Sequence, residues 1–157
     1  MITNYLKTYD ATQRKEVPFV LFPRQQDLCN LYGSGKDVVT TKPRQAGITT
    51  TTGAFVACEI ALASPETPLT ILVIGNTLDL AQQMVTKIKN FLYQLPRWFW
   101  GDEYFSPNKD DPKNKKKIFE ICNQKELLLS NGCRVVARSS GPDASRGVGK
   151  KLCRLVA

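Results

Sequence analysis

Lys42-Pro43-Arg44-Gln45-Ala46-Gly47-Ile48-Thr49-Thr50 is the stretch whose reading decides the fold of this 157-residue chain. It follows the β-branched run Asp37-Val38-Val39-Thr40-Thr41 and leads into Thr51 to Ala63, where Ala, Val, Ile and Leu suit a buried helix. The expected order is strand, loop, helix. Unpaired backbone N–H groups and the positive end of the macrodipole meet where a helix begins, so a loop placed there suits a phosphate. Against the pattern G-x-x-x-x-G-K-[ST], Lys42 stands at the first glycine, Gly47 at the second, Ile48 at the lysine and Thr49 at the hydroxyl. Two key positions depart from the pattern. Lys42 and Arg44 are the residues whose long cationic side chains could replace the missing ammonium at β- and γ-phosphate oxygens. A basic turn ahead of an amphipathic helix fits the loop alone equally well.

Upstream, residues 1–20 are polar and show no firm period. Arg24 to Tyr32 reads as a short helix begun by Pro23 and stopped by Gly33-Ser34-Gly35. Gln25, at its start, has a carboxamide able to donate to and accept from the edge of adenine. An isolated surface glutamine is the alternative. Downstream, Leu69 to Ile74 is a continuous apolar run of the kind buried on both faces in a parallel sheet. Thr77 is placed to cap a helix over about Leu78 to Leu95, with Leu80, Ala81, Met84, Val85, Ile88, Phe91 and Leu92 at helical spacing. Residues 97–117 read as a surface insertion whose aromatics Trp98, Phe99, Trp100, Tyr104 and Phe105 anchor it to the body, stacking of bases beside the lysines being the alternative. Ile118–Cys122, Glu126–Leu129 and Cys133–Arg138 read as strands, the last two joined by the hairpin signal Ser130-Asn131-Gly132. A polar loop carrying Arg146 between Ser145 and Gly147 precedes a final strand over Leu152 to Ala157.

Composition narrows the classes. The chain has five cysteines and no histidine, and no C-x-x-C pair occurs, so zinc centres and Cys/His or Ser/His nucleophile systems have little support. Cys29, Cys58, Cys122, Cys133 and Cys153 are expected as buried, reduced thiols. The net charge is +8, and residues 79–157 hold nearly all of the excess, with fifteen Lys/Arg against eight Asp/Glu. That asymmetry suits a surface facing a polyanion, and it also suits a solvated basic face. The N-terminus lacks a signal-peptide core and no apolar run reaches membrane length, so a soluble protein is expected.

Taken in order, Pro23-Arg24-Gln25, the loop from Lys42 to Thr50, the Asn-Gly hairpin and Ser140-Gly141-Pro142-Asp143-Ala144-Ser145-Arg146-Gly147 resemble the N-terminal ATPase domain of the large terminase subunit of tailed bacteriophages. That family has phosphate loops with the lysine moved to the loop's start, so Ile48 is in keeping with it. The resemblance implies a P-loop NTPase (RecA/ASCE-like) α/β fold, a mainly parallel sheet flanked by helices with a β-hairpin. It implies a lead segment over 1–22 and a partial ATPase domain over 23–157, truncated before the second ATPase motif and lacking the nuclease domain. ATP and Mg²⁺ are the implied cofactors: Lys42 and Arg44 on the phosphates, Gln45, Ala46, Gly47, Ile48 and Thr50 completing the cradle, Thr49 on the metal and Gln25 on adenine. Arg146 resembles the arginine that acts in trans on a neighbouring subunit's ATP. The implied partners are double-stranded DNA, the portal protein, the small terminase subunit and further copies in a ring, in the host cytoplasm with no membrane.

The family's metal-supporting aspartate and water-activating glutamate belong at Leu152 to Ala157, which has neither, so the chain alone is expected to hydrolyse ATP poorly. A superfamily 2 helicase-like ATPase is the rival enzyme, through Gly75-Asn76-Thr77-Leu78-Asp79-Leu80-Ala81-Gln82. A non-catalytic, basic nucleic-acid-binding or assembly module is the rival outside enzymes.

Overall fold

The computed structural model describes residues 2–10, 13–41, 46–100, 118–141 and 154–156. In chain order the elements are α1 (Ile2–Tyr5), β1 (Lys7–Asp10), β2 (Lys15–Pro18), α2 (Pro23–Gly33), α3 (Ile48–Leu62), β3 (Thr70–Gly75), α4 (Leu78–Gln94), α5 (Arg97–Trp100), β4 (Phe119–Cys122), β5 (Glu126–Leu129), β6 (Arg134–Ser139) and β7 (Arg154–Val156). The apolar run expected as a buried strand is β3, an interior strand and the fourth of a five-stranded sheet ordered β4-β5-β6-β3-β7. Ile71, Leu72 and Val73 are all buried, as a strand with parallel neighbours on both sides requires.

The architecture is mixed α/β, and the sheet is mixed rather than mainly parallel. β3 runs parallel to β6 and β7, whereas β4–β5 and β5–β6 are antiparallel. The Asn131-Gly132 turn dictates the second kind of pairing, because a link this short can only reverse the chain. Gly132 sits at φ 81°, and Asn131 does more than turn: its amide donates to Ile60 O at 2.9 Å and Ala63 O at 3.2 Å, closing the end of α3.

The strand expected over Asp37 to Thr41 does not form. The stretch carries no ladder and Val39 is 96 % exposed. β-branched residues favour a pleated surface only where one is offered, and both sides of β3 are already taken.

α4 packs against one face of the sheet, and α3 packs alongside α4 in the same core. α3 is buried almost all round, from Thr51 and Thr52 through Ala54, Val56 and Ala57 to Ile60. Its four consecutive threonines are poor helix formers, and two of them turn their hydroxyls back onto the helix: Thr51 donates to Gly47 O at 3.1 Å and Thr52 to Ile48 O at 2.9 Å. α4 buries Ala81, Met84, Val85, Ile88, Phe91 and Leu92 as its spacing foretold, but Leu80 is half exposed. Leu72 and Val136 form a small second cluster with Ile74.

The N-terminal residues are built into the same core. Ile2, Leu6 and Phe19 belong to the main cluster, and Phe19 stacks on Phe91 with ring centroids 6.1 Å apart. Between them β1 and β2 form an antiparallel hairpin, Lys7 opposite Pro18 and Asp10 opposite Lys15, where the sequence showed no period. Phe99 and Trp100 pack against the core while Trp98 stays exposed; residues 101–117 of the expected insertion lie outside the described residues. Cys58 and Cys133 are buried and Cys29 is partly so, but Cys122, on the edge strand β4, is exposed. The Cys153 side chain lies outside the described residues.

Candidate phosphate-binding site

The site is built where α3 begins. Gly47 is its N-cap, in the left-handed conformation at φ 72° and ψ 1°, and no side-chain cap is made to this terminus among the described residues. A Cβ at Gly47 would come within 2.7 Å of Gln25 Nε2. Gln25 is the third residue of α2, the position from which a Gln side chain reaches back to the cap amide. Its Oε1 accepts from Phe22 N–H at 3.0 Å and its Nε2 donates to Ala46 O at 3.2 Å. With 5 % of its surface exposed, it is one of few buried polar side chains among the described residues. One side chain thus joins the start of α2 to the residue before the α3 cap.

Beside this junction lies a cleft of about 360 Å³, within the usual range for small-molecule sites. Thr8, Asp10 and Val17 of the hairpin line one side, Phe22 and Gln25 another, and Gly47 and Thr50 the end at α3. Thr8 and Val17 face one another across the hairpin, and the alternation along β1 puts Asp10 on the same face as Thr8. The cleft therefore joins a chamber lined by apolar groups, threonine hydroxyls and the Asp10 carboxylate to a helix N-terminus.

Chain order fixes where this site sits on the sheet. α3 ends a short link before β3 begins, and α4 starts just after β3 ends, so both helix N-termini lie at the carboxyl edge of β3. The carboxyl ends of β6 and β7 share that edge, with Ser139 opposite Gly75 and Val156 opposite Val73. The chain leaves β6 there, at Ser139 to Gly141. In α/β sheets this is the edge that receives ligands. Gly75 is fitted to the turn: a Cβ there would meet Thr77 O at 2.7 Å and Ala81 N at 2.8 Å.

Of the residues singled out in the sequence, Gln25, Ala46 and Gly47 are brought into contact and Thr50 joins them at the cleft. Ile48 is half-buried and Thr49 exposed in the first turn of α3. Lys42, Arg44, Gln45 and Arg146 lie outside the described residues. Thr77 accepts from Leu80 N–H at 3.4 Å, the work of a cap. The hairpin residues Thr8, Asp10 and Val17 were missed. The one available signal, alternation over Lys7 to Asp10, is four residues long and carries no aliphatic residue.

Fold and site together define a mixed α/β protein with a glycine-capped helix opening onto a cleft at the carboxyl edge of its parallel strands. Comparison with protein-family models and with curated proteins finds no match to this chain. Among the described residues, no helix is long and apolar enough to cross a membrane.

Proposed function

We propose that this chain binds Mg-ATP through its phosphates at the start of α3 and belongs to a DNA-translocating ATPase of the terminase type. The observation that carries the reading is the convergence of the Gly47-capped helix terminus, the cleft and the carboxyl ends of β3, β6 and β7 at one edge. A triphosphate set there meets backbone N–H groups and the positive end of α3. Lys42 and Arg44, four and two residues before Ala46, are the proposed phosphate-neutralising cations. Thr49, exposed in the first turn, fits the metal: its hydroxyl would share Mg²⁺ with the phosphate oxygens. Mg²⁺ would supply charge neutralisation between the phosphates. The cleft has room for the base and ribose, with Phe22 exposed at its wall.

Arg146 is proposed to act on the ATP of a neighbouring copy, in a P-loop NTPase assembly whose partners are double-stranded DNA, a portal and a small subunit. The basic second half of the chain supports the DNA contact. The test is a fluorescent-ATP titration in Mg²⁺ of the chain and of its Lys42→Ala/Arg44→Ala variant. Saturable binding that drops at least tenfold in the variant is expected. Affinity for DNA that ignores nucleotide, with no ATP binding at millimolar concentration, refutes the ATPase reading and leaves a basic binding module.

A further inference from the structure

Resting on the phosphate-site reading, the geometry points to Gln25 as a positioning residue for the loop, acting on phosphate affinity through Ala46 and Gly47 rather than by reading the base. The carboxamide orientation is set by chemistry. Turning it over would put Oε1 against the Ala46 carbonyl and Nε2 against the Phe22 N–H, replacing two hydrogen bonds by two repulsions. In the observed orientation its oxygen holds the start of α2 and its nitrogen holds the residue preceding the α3 cap. The absence of a Cβ at Gly47 lets the amide come this close. Burial adds to the case, because a side chain 5 % exposed with both ends engaged is held by the protein.

The consequence is that Gln25 sets where the last loop residues stand relative to the first amides of α3. A phosphate feels that placement whether or not a base is attached to it. Adenine recognition by Gln25 would have the opposite signature, since a ligand without a base could not sense it.

The experiment titrates inorganic tripolyphosphate and ATP, each with Mg²⁺, into the chain, into Gln25→Met, into Gly47→Ala and into the double variant, with circular dichroism to verify folding. Gln25→Met keeps length and volume while removing both hydrogen bonds. Gly47→Ala presses on the same nitrogen and leaves the α2 cap residue in place, so it serves if Gln25→Met does not fold. A positioning role predicts that each single change weakens tripolyphosphate and ATP by the same factor, about five- to tenfold for the hydrogen bond to Ala46 O that both changes remove. It predicts as well that the two losses fail to add in the double variant. A loss confined to ATP makes Gln25 a base reader and overturns the proposal. So does unchanged affinity for both ligands, or full additivity. If the unaltered chain binds neither ligand, the phosphate site itself is refuted and the proposal falls with it.

Discussion

Replacing Gly47 by alanine tests the junction at the start of α3 on stability alone. Gly47 sits at φ 72°, where an L side chain costs about 1–2 kcal/mol. The new methyl would also stand 2.7 Å from Gln25 Nε2, so the amide must leave the Ala46 carbonyl. Losing that hydrogen bond costs about 1 kcal/mol more, for a total of about 2–3 kcal/mol. The molecule contains its own control: Gly35 has φ 71° but nothing within 4 Å of its missing Cβ. Gly35→Ala therefore carries the strain without the collision. Urea unfolding followed by circular dichroism, with slopes compared to confirm two-state behaviour, should place Gly47→Ala about 1 kcal/mol below Gly35→Ala. Adding Gln25→Ala to each should erase that difference. Equal destabilisation by the two glycine replacements in the unaltered background would refute the Gln25 contact.

Asn131→Ala removes the donor to Ile60 O and Ala63 O and the acceptor of the Cys133 N–H, so it should cost about 2–3 kcal/mol in the same unfolding assay, far more than an exposed turn residue. Burial pushes the Cys58 thiol up from 9.0 to about 11. The folded state therefore holds that proton more tightly than the unfolded chain, and Cys58 lowers stability as pH rises from about 9 to about 11. Cys58→Ala should flatten that part of the pH–stability curve. At pH 8, iodoacetamide should label exposed Cys122 well before buried Cys58 and Cys133, as read by peptide mass mapping.

What could be read from the sequence was whatever local chemistry decides. The Thr77 cap, the apolar stripe of α4, the unbroken run of β3 and the Asn131-Gly132 reversal all followed from spacing and turn residues. What tertiary contact decides was not legible. Asp37 to Thr41 has strand composition but pairs with no strand among the described residues, and Val39 is left in solvent. The β1–β2 hairpin has little apolar patterning, yet Leu6 and Phe19 at its ends anchor it to the core. In the site, Gln25 and Gly47 were visible as residue types. Their contact was not, because it joins two segments more than twenty residues apart, and the hairpin wall of the cleft depends on the same docking. Cys122 went wrong because neighbouring apolar residues do not reveal that β4 is a sheet edge.

Hydrogen–deuterium exchange with and without Mg-ATP tests the central claim most directly, since it locates nucleotide on the chain without relying on a substitution. The account predicts protection centred on Gly47 to Thr50, with a second protected stretch at Thr8 to Asp10 and Val17 where the hairpin lines the cleft. Unchanged exchange at the start of α3 under saturating Mg-ATP, or protection found only elsewhere, would contradict it.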